Sequence, residues 1–333
     1  MAINYKAADV ADDDHEKSFF TVNQYPAQAS IRSPNTINTT NNRLKLFLAS
    51  FLFLLGTAVI SQNTLNKAGL SAASPSSGAY SMRLLSSSYA GSALQITRSS
   101  DNTTQNIGFT ATGDLDTASL KTFVGINNGY VSTWYDQSGN LNNLTQATLA
   151  NQPSLVASGV INRENGIPFI RFFTTPSYNS LNLAAGMTTV GHVSAVHLFA
   201  SGGDGFILGH TGSYYWHSDP GSTSLINSTY ASPSVQAGAG WTNGISYLPT
   251  SMPWPTTLAI NEIEPSPSNN QTTWDNIGRD RTFHYTNNGG GYSELLLFNN
   301  ALSTSDRQSL ESNQGSYFSI ATTILPIAWV SFT

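Results

Sequence analysis

Between residues 79 and 321 the chain repeats one kind of segment. SALQITR, YVSTWYD, IPFIRFF, HVSAVHLFA, TLAINEI and YSELLLFN are each strand-length, alternate apolar with other residues, and are bounded by Gly, Asn, Pro or Ser. Successive side chains of a strand point to opposite faces, so a period of two gives each segment one face to bury. Many such strands between turn signals close most economically into two antiparallel sheets packed face to face. Helix is scarce. LDTASLKTFV predicts a short helix capped by Asp116 or Thr117, and STSDRQSLESNQGSYF predicts a second, capped by Ser303 with Asp306 completing a capping-box arrangement. No repeat at solenoid or propeller spacing interrupts this reading, which is an all-β sandwich.

Composition narrows the function. A net charge of -5, with only 10% charged residues and no basic stripe, does not support a nucleic-acid partner. The absence of cysteine excludes disulfides, thiolate metal sites and a cysteine nucleophile. The chain is rich in Ser, Thr, Asn and Gly and has 11% aromatics, which suits an extracellular β protein with long polar loops.

The strongest apolar run is LKLFLASFLFLLGTAVIS, residues 44–61, with Arg43 and Lys45 at its amino end and compact Val59 and Ser61 just ahead of Gln62. It predicts a signal peptide cleaved before Gln62 or, if uncleaved, a signal anchor that would be the chain's contact with a membrane. Residues 1–61 are thus preamble plus leader. Residues 62–78 read as a Ser/Ala-rich linker, 79–321 as the sandwich, and 322–333, ending ILPIAWVSFT, as the start of a following module or linker. The predicted location is secreted or cell-surface.

The run AYSMRLLSSSYAGSALQITRSSDN, then LDTASLKTFVG, then WYDQSGNLNNLTQAT, resembles the amino-terminal half of the catalytic domain of glycoside hydrolase family 54 α-L-arabinofuranosidases. The closing stretch IGRDRTFHYTNNGGGYSELLLFNNALSTSDRQSLESNQGSYF resembles the same family's last strands, and also the final strand and helix of concanavalin A-like and laminin G-like jelly rolls. The resemblance implies a concanavalin A-like jelly-roll β-sandwich and a polysaccharide or cell-surface glycan as partner. The tail ILPIAWVSFT is similar to linkers in exported proteins of the Bacteroidetes.

Glycoside hydrolysis uses two carboxyl groups across the bond. The resemblance implies Asp280, in IGRD, as general acid and base; a surface aspartate paired with Arg279 or Arg281 is the plain alternative. The family's nucleophilic glutamate falls in a segment that here reads GFILGHTGSYYW, with neither Glu nor Cys. Glu294, in YSELLLFN, is the substitute to weigh against a structural role. A recognition or adhesion module lacking the nucleophile is therefore expected; an active arabinofuranosidase and an adhesin spacer are the alternatives. For binding, Tyr215 and Trp216 in SYYWHSD, with Asp204, Asp219 and Trp274, supply stacking faces and hydroxyl partners for a sugar, although Trp in a sandwich also serves as packing.

Other acids, including Glu262 and Glu264, are expected in solvated connections. No cofactor is implied, calcium is not indicated, and the six histidines give no metal set: His192 and His197 fall on opposite strand faces, while His210 and His217 lack carboxylates at ligand spacing. Asp136, in WYDQSGN, is read as a turn-tying aspartate accepting from the amides of Ser138 and Gly139, with Trp134 in the core.

Overall fold

The chain divides into two units, residues 1–58 and 59–333. The computed structural model describes residues 62–173, 178–199, 205–218, 224–267, 271–281, 285–286 and 289–323, all in the second unit. The predicted leader and the terminal ILPIAWVSFT lie outside the described residues.

The described part is an antiparallel β-sandwich of jelly-roll type. Its strands are β1 (Ser76–Ser81), β2 (Leu94–Arg98), β3 (Thr104–Ile107), β4 (Gly129–Trp134), β5 (Leu144–Thr145), β6 (Ser154–Ala157) and β7 (Ile170–Arg171). They continue with β8 (Leu181–Met187), β9 (His192–Leu198), β10 (Ala239–Thr242), β11 (Ile245–Tyr247), β12 (Ala259–Glu264), β13 (Trp274–Ile277) and β14 (Gly291–Phe298), besides shorter pairs. The α-helices are α1 (Thr117–Val124), α2 (Pro233–Gln236) and α3 (Thr304–Phe318). One layer runs β11-β10-β12-β9-β14, with β1 on the far edge of β14. In the other, β2 lies between β3 and β4, while β4 pairs with both β6 and β5, and β5 leads through β8 to β13. Strand β7 pairs with β14 and with β6, joining the layers.

The alternation seen in the sequence builds the core. Ile96, Val131 and Leu155 from one layer meet Val193, Ala195, Leu295 and Leu297 from the other. Tyr80 on β1 reaches across to Trp134 and Trp274, with ring centroids 5.9 and 6.5 Å apart. Both predicted caps form: the Asp116 carboxylate accepts from Ser119 N, and Ser303 Oγ accepts from Asp306 N. Asp306 returns the contact to the Ser303 hydroxyl, at 2.8 Å, so the capping box closes through side chains.

Two expectations give way. The segment expected as a linker is packed: Leu65, Ala68 and Leu70 are buried with Leu296, Phe298 and Leu310 between the sheet and α3, and β1 begins at Ser76. Its few apolar residues are too widely spaced to show a period, yet one 3-10 turn, Asn66–Ala68, places them together. The second concerns the acids. Glu262 on β12 and Glu311 on α3 are fully buried where the helix meets the sheet, with Arg307 Nη1 of the same helix 3.2 and 2.9 Å from them. A polar strand face predicts solvent only while nothing covers it. Here a helix does, which is why every residue of β9 and β14 is buried.

Candidate functional site

The WYDQSGN turn is structural. Asp136 Oδ1 accepts from the amides of Ala79 and Ser138, both at 2.9 Å, and Oδ2 from the Ser138 hydroxyl at 2.7 Å and Asn142 N at 3.0 Å. Asn142 and Ala79 thus supply the bonds expected of Gly139. Beside it, Gln137 accepts from Leu85 N and donates to the carbonyls of Ser81 and Arg83. The turn therefore anchors β1 and the segment after it to the end of β4, with Trp134 in the core as predicted.

Asp280 sits in a different setting. It belongs to a two-residue strand, Arg279–Asp280, that follows β13 through Gly278. Gly278 has φ +95°, and a side chain there would run into the Phe172 ring at 2.2 Å, so the turn requires glycine. The segment 205–218 lies alongside, bonded from Gly209 N to Asn276 O and from Arg281 N to His210 O. Asp280 is 2% exposed. His217 Nδ1 is 3.1 Å from its Oδ2, and Arg281 Nε is 3.5 Å from its Oδ1, an atom with no hydrogen-bond partner. Asp280 is therefore enclosed rather than on the surface, although the pairing with Arg281 that the plain alternative named is present. Arg279 turns elsewhere, to Asn182 Oδ1 at 3.3 Å, and burial lowers its guanidinium from the ordinary arginine value while Asp275 opposes the shift.

The run Tyr214–His217 is a tight turn, with His217 N bonded to Tyr214 O, so it does not alternate as an extended strand would. Tyr214 points out at 44% exposed, Tyr215 is half-buried, and Trp216 and His217 point in. The Trp216 indole donates to Thr272 O, and Trp274 is buried under Tyr80. The faces of both tryptophans are taken by the protein core in this structure. Asp204 and Asp219 lie outside the described residues.

The exposed rings here are Tyr214 and Tyr230, the latter 54% exposed. Their centroids are 6.2 Å apart with planes at 89°; Tyr230 is 6.1 Å from His217, and the Arg281 guanidinium lies 5.1 Å over Tyr214. The cluster Tyr214, Tyr230, Arg281, His217 and Asp280 is thus an aromatic rim over a buried acid-imidazole pair. Sequence reasoning missed Tyr230 and the His217–Asp280 contact, because their partners lie far apart along the chain. Nearby, Asp275 accepts from Thr211 N and Oγ1 and stands 3.9 Å from His210. Among the described residues no group of three or more His, Asp or Glu is placed to hold a metal ion.

Glu294 cannot face Asp280. Between Val196–Glu294 and His197–Tyr292 the register of β9 against β14 slips, leaving Ser293 as a bulge. Tyr292 therefore points inward, stacked on His197 and donating to Phe206 O, while Glu294 leaves the sheet on the α3 side. There it accepts from Arg83 Nε and Nη2, Ser81 Oγ and Gln314 Nε2. Four donors on a fully buried carboxylate make it a structural anchor.

Residues 69–164 match the family model described as α-L-arabinofuranosidase B, catalytic. Among solved structures, a family 54 α-L-arabinofuranosidase soaked with a cyclic sulfate inhibitor shares 17% identity, with a TM-score of 0.44, over 78% of this chain and 66% of the other. An arabinofuranosidase complexed with arabinofuranosyl-α-1,2-xylobiose shares 16%, with a TM-score of 0.46, over 79% and 66%. The likeness thus spans just under two thirds of those chains. No curated protein matches. Over residues 69–164, the stretch holding the Asp136 turn, the chain is similar to the catalytic domain of α-L-arabinofuranosidase B, the family whose motifs it was read to share.

Proposed function

We propose that this chain is an exported carbohydrate-recognition module built on an arabinofuranosidase-like sandwich, binding polysaccharide or cell-surface glycan at the Tyr214–Asp280 rim. Export rests on the apolar run 44–61 with its basic flank. The observation that carries recognition over cleavage is the placement of the two acids weighed for catalysis. Glu294 is committed to four donors on the α3 side, whereas Asp280 is reached from the opposite side through Phe206 and His217, whose rings stack 6.4 Å apart. A retaining mechanism needs its two carboxyls about 5–5.5 Å apart on one cleft, and an inverting one somewhat more. This pair cannot supply either. The rim does offer what a sugar binds: two exposed tyrosine rings for C–H surfaces and the partly exposed Arg281 guanidinium for hydroxyls, set over the buried Asp280–His217 pair.

The test is a glycan array probed with the full chain. Signal on arabinose-containing or related neutral glycans, lost in Asp280→Asn, is the expected result. No signal on any glycan would leave a spacer role. A second reading, cleavage of arabinofuranosyl units with Asp280 as acid and base, is favoured by the family match and by an Asp280 Oδ1 that accepts no hydrogen bond.

A further inference from the structure

The outer face of the second layer carries a groove. Thr97, Tyr130 and Ser154 lie directly opposite one another on β2, β4 and β6, while Ile96, Val131 and Leu155 point the other way into the core. On that outer face two cavities of about 430 and 450 Å³ adjoin, sharing Leu149 and Gln152 as common lining. Three properties define what they would take. Among the described residues no charged side chain lines either cavity, which favours a neutral ligand. The first presents Tyr130 and the 37%-exposed Phe173 beside Asn128 and Asn179, apolar faces next to amides. Gln152 Oε1 and Thr97 Oγ1, both on side chains more than nine-tenths buried, have no hydrogen-bond partner, which favours a hydroxyl-bearing ligand.

A chain of hydrogen bonds runs from the edge of this groove to the residue before Asp280. Thr145, in the lining of the second cavity, exchanges bonds with Asn182, and Asn182 Oδ1 accepts from Arg279, the neighbour of Asp280.

We infer that the groove on β2, β4 and β6 is an extended subsite for the uncharged main chain of the polysaccharide whose terminal or branching sugar is held at the Asp280 rim; this rests on the glycan reading above. Calorimetric titration of the full chain with α-1,5-linked arabinan oligosaccharides, from disaccharide to octasaccharide, tests it. Affinity is expected to rise about tenfold with length, a gain of the size one or two stacked rings supply. Phe173→Ala and Ala147→Trp should flatten that rise and leave disaccharide affinity unchanged. Ala147 is exposed on the lining, so a tryptophan there fills the cavity without entering the core. Length-independent binding by the unaltered chain, or a length gain retained in both variants at unchanged thermal midpoint, would overturn the groove and spare the rim. Equal binding of oligogalacturonates would overturn the requirement for a neutral ligand. Failure of every oligosaccharide to bind would remove both proposals.

Discussion

Asp136 and Asp280 are both 2% exposed, one in a turn after a strand and the other in a two-residue strand, yet they are held in opposite ways. Asp136 has a donor for nearly every lone pair: two amides on one oxygen, an amide and a hydroxyl on the other. Asp280 has an imidazole nitrogen on one oxygen and no hydrogen bond on the other. A buried carboxylate is stable where donors replace its lost water, and costly where they do not. The fold uses the first aspartate as a tie; the second, with only the Arg281 guanidinium 3.5 Å from its other oxygen, is the one the proposed glycan site draws on. That contrast also follows the family match, which ends at residue 164 and so contains Asp136 but not Asp280.

The largest effect that could break the comparison is on stability. Asp136→Ala strands the buried amides of Ala79 and Ser138, and should cost about 3 kcal/mol or more of unfolding free energy in denaturant titration. Asp280→Asn, which removes one under-used charge, should change it by about 1 kcal/mol or less. Equal losses would mean that Asp280 is also a structural tie.

Next in size is a pH effect at a third carboxyl. Glu311 Oε1 also lacks a hydrogen-bond partner. Burial, and then the charge of Glu262, push Glu311 up from the ordinary 4.5 to about 7 despite Arg307. Its folded value lies above its unfolded one, so the folded state holds the proton more tightly. Its share of stability is fully present below about pH 4.5 and falls as pH rises through 7, by roughly 2–3 kcal/mol. Thermal melts between these limits should show that slope, and Glu311→Gln should abolish it; a slope unchanged in the variant would assign it elsewhere.

Smallest is the rim itself. Tyr214→Ala should weaken glycan binding about tenfold and leave the melting midpoint within experimental scatter, since the ring is nearly half exposed. A large drop in stability would make Tyr214 packing instead.

The strands that build the core were legible because their alternation survives in β2, β4, β9, β12 and β14. The face under α3 was not. Glu262, Glu294 and Ser194 mark a polar strand side, and nothing in a period of two tells whether water or a helix bearing Arg307 and Gln314 will meet it. The bulge at Ser293 was equally silent, although it decides that Glu294 and Tyr292 part company. At the site, Asp280 was found through the resemblance. Its partner His217 and the exposed Tyr230 were not, because a turn at Tyr214–His217 replaced the expected extended run.

The most direct test of recognition without hydrolysis is to incubate the full chain, at concentrations matching the ligand, with an arabinofuranosyl-substituted oligosaccharide and to follow the anomeric signals by NMR. Line broadening of an intact ligand, with no free arabinose accumulating, is the predicted result. Release of arabinose that disappears in Asp280→Asn would contradict the account and make the half-satisfied aspartate a catalyst.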